Sequence, residues 1–177
     1  MKRDPSIDLP AAAPIRLILS DVDGVMTTGQ LWFDSAGGEI KQFHVRDGMA
    51  VKIWQTSGMG FGIVSSRNSA AVSRRAAEIG IGHVLQGVDP KLPAVIELLR
   101  SIGVPPEHVA YIGDDLPDLP VMRHVGLSAA PADACADVLA EARWVMRSVG
   151  GGGAIRELVE RLMRATSRWE EHAVPVI

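Results

Sequence analysis

Three short apolar runs, Ile15–Ser20, Gly60–Ser65 and Val109–Ile112, each end at a polar residue or a glycine. Runs this brief and this rich in Ile, Val and Leu read as strands buried on both faces, as in a parallel sheet. His83–Gln86 and Gly126–Ser128 read as two further strands. The stretches between them predict helices over 47–57, 68–79, 90–102 and 116–125. Asn68 and Asp89 are candidate N-caps, and Gly58, Gly80 and Gly103 stand where helices stop. Strand–helix alternation of this kind implies an α/β fold, an open parallel sheet covered by helices on both faces. A chain of 177 residues fits one such domain.

One segment breaks the rhythm. Gly29–Phe33 and Glu39–Phe43 flank the loop Asp34–Gly38, which reads as a β-hairpin over about 29–43. It follows the first strand, where a crossover helix would normally come. It should overhang the C-terminal edge of the sheet, the edge at which open α/β folds bind ligands.

The ends read differently from the middle. Residues 1–14 carry Asp4, Pro5, Asp8 and Pro10 where a signal peptide would be apolar, so they read as a flexible N-terminal tail. The domain then spans 15–166, with a last helix from Ala154 to about Thr166 and a C-terminal tail over 167–177 that ends in Val174, Pro175, Val176 and Ile177. Gly150–Gly153 precede that helix. They read either as a backbone cradle for an anion at the helix N-terminus or as a flexible hinge.

Composition narrows the partners. Eighteen Lys and Arg against 21 Asp and Glu leave a net charge of −3, with no broad basic footprint for nucleic acid. No apolar run is long enough to cross a membrane. The single Cys135 excludes an intramolecular disulfide and fits a reducing cytoplasm.

Chemistry enters with the carboxylates. Asp21 and Asp23 stand two apart at the end of the first strand, with Gly24 to turn the chain. Carboxylates this close call for a cation or a shared proton, and Mg²⁺ is the hard cation that oxygen ligands favour. An Asx-turn is the plain alternative. Gly113-Asp114-Asp115-Leu116-Pro117-Asp118 repeats the pattern after the Val109–Ile112 strand, where helix capping is the plain alternative. Two such clusters at one sheet edge can converge on one metal. Ser65-Ser66-Arg67-Asn68 offers hydroxyls, N–H groups and a guanidinium to an anion. Lys91, at a helix start, opposes the dipole unless an anion faces it. Together these are the parts of phosphoryl transfer through an aspartyl-phosphate.

The motifs Asp21-Val22-Asp23-Gly24-Val25, Ser65, Lys91 and Gly113-Asp114-Asp115 resemble, in order, those of the haloacid dehalogenase superfamily of phosphohydrolases. With Phe43-His44-Val45-Arg46-Asp47-Gly48, Gln86-Gly87 and Ala110–Met122, the pattern over about 15–164 is similar to the 3-deoxy-D-manno-octulosonate 8-phosphate (Kdo 8-phosphate) phosphatases. The resemblance implies a Rossmann-like sheet with a minimal cap. It makes Asp21 the nucleophile and Asp23 the general acid and base. Mg²⁺ would be held by Asp21, the Asp23 carbonyl and Asp114, with Asp115 nearby. Ser65 and Lys91 would bind the phosphoryl group, Ser66 would line the site, and Arg67 would lie near the sugar acid. It further implies a cytoplasmic homotetramer, with hairpin and C-terminal tail reaching neighbouring active sites, and a place in lipopolysaccharide precursor synthesis.

The chain departs from the family pattern at three places: Ser65-Ser66-Arg67 for Thr-Gly-Arg, Gly152 for an Arg, and His44 for an Asn. Loss of the Gly152 cation keeps a second substrate in play, a nine-carbon acid such as KDN 9-phosphate or N-acylneuraminate 9-phosphate. Arg147 and Arg156 are the candidates to replace that cation. A receiver-like phosphoacceptor module or a catalytically silent interaction protein are the readings outside this class. Asp23 argues against the receiver, because it would speed loss of the phosphoryl group.

Overall fold

Strand β1 (Leu17–Ser20) alternates its side chains between two cores: Ile18 faces one, Leu17 and Leu19 the other. In this computed structural model, which describes residues 4–173, the same division runs through the sheet. Strands β4 (Gly60–Ser65), β5 (His83–Gln86), β6 (Val109–Ile112), β7 (Leu127–Ala130) and β8 (Trp144–Val145) complete six parallel strands in the order β5-β4-β1-β6-β7-β8. The first core lies under α2 (Val45–Thr56), α3 (Ala70–Ile79) and α7 (Ala154–Ala165). The second lies under α4 (Lys91–Ile102), α5 (Leu119–Met122) and α6 (Ala136–Glu141). Each fully buried Ile or Leu contributes roughly 1.5–3 kcal/mol, so a sheet apolar on both faces is stable only when both are covered.

The expected architecture holds, with local differences. β8 and α6 were not anticipated; two- and six-residue elements carry too little periodicity to read. The N-cap positions of α3 and α4 fall on Ser69 and Pro90 rather than on Asn68 and Asp89, and neither residue makes a side-chain capping hydrogen bond. The stretch 116–125 resolves into a 3₁₀ turn at Leu116–Asp118 followed by α5. The hairpin forms with two-residue strands, β2 (Trp32–Phe33) and β3 (Glu39–Ile40), standing apart from the main sheet.

The N-terminal segment is more structured than a tail. Asp4 caps a 3₁₀ turn at Pro5–Asp8 that runs into α1 (Leu9–Ala12), and Ala11 and Ala12 are buried in the first core. The Arg161 guanidinium on α7 grips Asp8 through two hydrogen bonds of 2.8 Å and lies 3.8 Å from the centroid of the Trp144 ring. Trp169, at the start of the expected C-terminal tail, is likewise buried in the first core, and a short helix α8 follows at Glu170–Ala173. The apolar end Val174–Ile177, like Met1–Arg3, lies outside the described residues. Among the described residues no helix is long and apolar enough to cross a membrane.

Candidate active site

β1 delivers Asp21 one residue past its end. The Asp21 N–H donates to the Ile112 carbonyl at 3.0 Å, so the carboxylate leaves the sheet from a hydrogen-bonded frame. The chain then turns: the N–H groups of Val25, Met26 and Thr27 converge on the Val22 carbonyl at 3.3, 2.9 and 3.0 Å. Gly24 makes this turn at φ +93°, and a Cβ there would stand 2.0 Å from Asp114 Oδ2. Only glycine admits Asp114 so close to the first acidic loop.

The glycines before α7 support this loop from behind. A Cβ on Gly150 would lie 1.9 Å from the Gly24 carbonyl oxygen, and the Gly151 N–H donates to the Val25 carbonyl at 2.9 Å. Their role is close backbone contact, which neither the hinge nor the anion cradle anticipated. The N-terminus of α7 has its anion from within the chain: Asp47 Oδ1 accepts the Arg156 N–H at 2.8 Å.

Lys91, buried in the first turn of α4, has the anionic partners its position demands. Its Nζ lies 2.6 Å from Asp21 Oδ1 and 2.7 Å from Asp118 Oδ1. The Tyr111 hydroxyl donates to the same Asp118 oxygen at 2.6 Å, while the N–H groups of Asp114 and Asp115 donate to Oδ2 at 2.9 and 3.3 Å. Asp118 is therefore a scaffold that aims Lys91 at Asp21. It stands in the acidic run that the sequence flagged, but its role depends on Lys91 and Tyr111, which sequence spacing does not bring together.

Oxygens of Asp21, Asp114 and Asp118 lie within 4.8 Å of one another. Burial, and after it the charge of Asp118, pushes Asp21 up to about 6 despite Lys91. Burial followed by Asp21 and Asp118 pushes Asp114 up to about 8. For Lys91, burial favours the neutral amine, but Asp21 and Asp118 outweigh it and raise its pKa. Burial also drives the Tyr111 phenol well above its ordinary value, so it stays a donor. A buried all-oxygen set with mutually repelling carboxylates fits a hard dication, which would relieve that repulsion. Asp118 has both oxygens engaged within the chain, whereas Asp21 is engaged through Oδ1 alone, so Asp21 and Asp114 are the carboxylates better placed to hold a cation.

Asp23 belongs to a second group, at the root of the hairpin. Its Oδ1 pairs with Lys41 Nζ and lies 3.5 Å from Thr27 Oγ1; its Oδ2 is 3.6 Å from Arg67 Nε. Glu39 Oε1 joins the two cations, 2.7 Å from Arg67 Nη2 and 3.3 Å from Lys41 Nζ. Lys41 and Glu39 were missed because hairpin residues carry no motif of their own.

Ser65 lies buried at the end of β4, one residue beyond the level of Asp21 because Ile63 registers with Ser20, and its Oγ accepts the Arg67 N–H at 3.2 Å. Ser66 beside it is exposed. His44 caps α2, its Nδ1 accepting the Arg46 N–H at 3.2 Å, which is work an Asn side chain also does. The Arg156 guanidinium pairs with Glu160 and lies 4.6 Å from the Trp169 ring centroid, so it is engaged away from Gly152.

Known proteins share this arrangement. The model of the haloacid dehalogenase-like hydrolase family matches residues 84–158. The 3-deoxy-D-manno-octulosonate 8-phosphate phosphatase of Yersinia pestis is 45% identical over 159 residues, covering 90% of this chain and 85% of the relative. Its counterpart in Escherichia coli K12 is 42% identical over 167 residues, covering 94% and 89%. The crystal structure of the Moraxella catarrhalis enzyme, in complex with magnesium, phosphate and KDO, superposes with a TM-score of 0.92 at 37% identity, covering 95% of this chain and 97% of that one. With identity sustained over nearly the whole length and the acidic loops meeting at one sheet edge, this chain belongs to the 3-deoxy-D-manno-octulosonate 8-phosphate phosphatase family of haloacid dehalogenase-like hydrolases.

Proposed function

We propose that the chain hydrolyses Kdo 8-phosphate to Kdo and phosphate, with Asp21 as nucleophile. The observation that carries this reading is Asp21 itself: buried at the end of β1, gripped on Oδ1 by Lys91, in a cluster with Asp114. An Asp21 oxygen attacks phosphorus and the ester bond to the sugar breaks. Asp23 gives its proton to the departing sugar oxygen, then takes one from the water that cleaves the aspartyl-phosphate, which frees Asp21 and phosphate. Lys91 offsets charge on the nucleophile and phosphoryl group, and Ser65 donates to a phosphoryl oxygen. Ser66 and Arg67 border the site on the sugar side. Asp21, Asp114 and the Asp23 carbonyl are the ligands for Mg²⁺, which when bound supplies further charge neutralisation to the phosphoryl oxygens. The Moraxella relative's magnesium, phosphate and KDO support both the metal and the sugar acid.

Assembly follows from the same reading. Leu31, Trp32, Phe33 and Ile40 on the hairpin, with Val45 and Met49 beside it, are large apolar side chains left exposed. A patch of this kind marks an interface, and a homotetramer closing its active sites with neighbouring hairpins accounts for it. Light scattering should then read about four times the 18.9 kDa monomer; a fully active monomer would remove the assembly. The cytoplasm is the compartment that suits the unpaired Cys135.

The deciding experiment is phosphate release with Mg²⁺ from Kdo 8-phosphate, KDN 9-phosphate and simple sugar phosphates. Preference for Kdo 8-phosphate, abolished by EDTA or Asp21→Asn, is the expected result. Preference for KDN 9-phosphate would move the substrate and keep the chemistry. No turnover by folded protein would overturn the reading.

A further inference from the structure

We propose that Lys41 is a positioning residue for the proton-transfer carboxylate, fixing Asp23 through Oδ1 so that Oδ2 alone serves the reacting oxygen. The proposal rests on Asp23 being the general acid and base. Its starting point is a contrast within the hairpin. Ile40 is 56% exposed, yet the side chain of the next residue, Lys41, is 1% exposed. A buried ammonium needs counter-charge, and Lys41 has it in Asp23 Oδ1 and Glu39 Oε1.

The two Asp23 oxygens are thereby made unequal. Oδ1 takes the ammonium of Lys41. Oδ2 is buried and accepts no hydrogen bond among the described residues, with Arg67 Nε 3.6 Å away. A carboxylate is rigid about its carbon, so holding one oxygen sets the other. A turn-borne Asp with a free χ1 would visit several rotamers, and proton transfer tolerates little misplacement. Glu39 locks the arrangement from the far side by bridging Lys41 to Arg67. The hairpin, anchored by this lysine, thus does chemical work inside its own subunit, separate from any contact its apolar tip makes.

The test compares two phosphate monoesters in single-turnover reactions of the full chain with Mg²⁺. Release of a sugar alcohol needs a proton from Asp23, whereas p-nitrophenolate leaves without one. For Lys41→Met, single-turnover sugar release from Kdo 8-phosphate should fall about 30-fold or more, while p-nitrophenol release stays within about threefold of wild type. Lys41→Arg, which restores a cation, should recover most of the lost sugar release. Equal loss with both esters would make Lys41 a structural anchor only, and no loss with either would make the contact idle; either result overturns the proposal. Wild-type turnover is measured first. A wild type inactive on both esters would overturn the phosphatase reading itself and this proposal with it, a failure visible before any variant is compared.

Discussion

Asp47 on α2 and Arg156 on α7 meet across 109 positions of chain, the carboxylate Oδ1 accepting the backbone N–H at 2.8 Å. Burial lifts the Asp47 carboxyl above its ordinary 3.8, outweighing the Arg156 N–H and the nearby His44, Arg156 and Arg75 charges. A carboxyl raised in the fold favours folding most when protonated. Its contribution is full below the unfolded value and shrinks as pH rises through the folded one. Asp47→Asn keeps an acceptor and discards the charge, so at pH 7 it should equal wild type or exceed it by about 1 kcal/mol. Asp47→Ala should lose about 1 kcal/mol. Urea midpoints at pH 4 and 7 check this: the advantage of Asn over Asp should narrow at pH 4.

Lys91 is held between two buried carboxylates. Lys91→Met would leave Asp21 and Asp118 without their cation, and removing one partner of a buried ion pair costs about 3–5 kcal/mol. Chemical denaturation without Mg²⁺ should show the full loss, and added Mg²⁺ should restore part of it. Phosphatase turnover should stay depressed even at saturating Mg²⁺.

The space at Gly24 is fully used. A methyl there would meet Asp114 Oδ2 at 2.0 Å and would also strain a backbone at φ +93°. Gly24→Ala should therefore displace the acidic loops from one another and lower turnover about 100-fold. Circular dichroism should remain that of a folded α/β protein.

Arg161 secures the N-terminal segment by gripping Asp8 while stacked on Trp144. Arg161→Ala should destabilise the chain by about 2 kcal/mol, because the buried Asp8 carboxylate loses both guanidinium hydrogen bonds. Tryptophan emission should shift to the red as the Trp144 ring loses its cover. An unchanged denaturation midpoint would mean the segment contributes nothing to the fold.

Metal removal should expose a pH dependence. Asp21 at about 6 and Asp114 at about 8 both exceed the ordinary 3.8, so the metal-free fold holds more protons than the unfolded chain. Its stability should fall as pH rises from about 4 to 8. Mg²⁺ competes with those protons, so its apparent affinity should climb over the same range. Thermal melts with EDTA or Mg²⁺ at pH 5.5 and 8.5 test both signs; stabilisation by Mg²⁺ that is greater at pH 5.5 would contradict the assignment of the ligands.

Much of the framework is local and therefore readable. The strands ending at Ser20, Ser65 and Ile112 announce themselves by runs of Ile, Val and Leu, and their polar ends name Asp21, Ser65 and Asp114 directly. Lys91 was legible as a cation in the wrong half of a helix, which is a request for an anion. What escaped depends on contacts between distant residues. Lys41 gains meaning only from Asp23, and Asp118 only from Lys91 and Tyr111. The N-terminal helix was hidden by Pro5 and Pro10, which resemble breakers. Yet Pro5 follows an Asp that caps it, the arrangement of a helical first turn, and that signal was available.

Gly150 presses on the Gly24 carbonyl with no room for a side chain, and Gly151 is hydrogen-bonded to Val25. The loop bearing the earliest acidic residues is thus braced by backbone that the ribosome makes more than 120 residues later. During synthesis β1 can wait in a half-built sheet, but its catalytic turn has no backing until the glycines arrive. Phosphatase competence is accordingly among the last properties the nascent chain acquires, and a chain stopped before Gly150 should carry every proposed catalytic residue and still lack an active site.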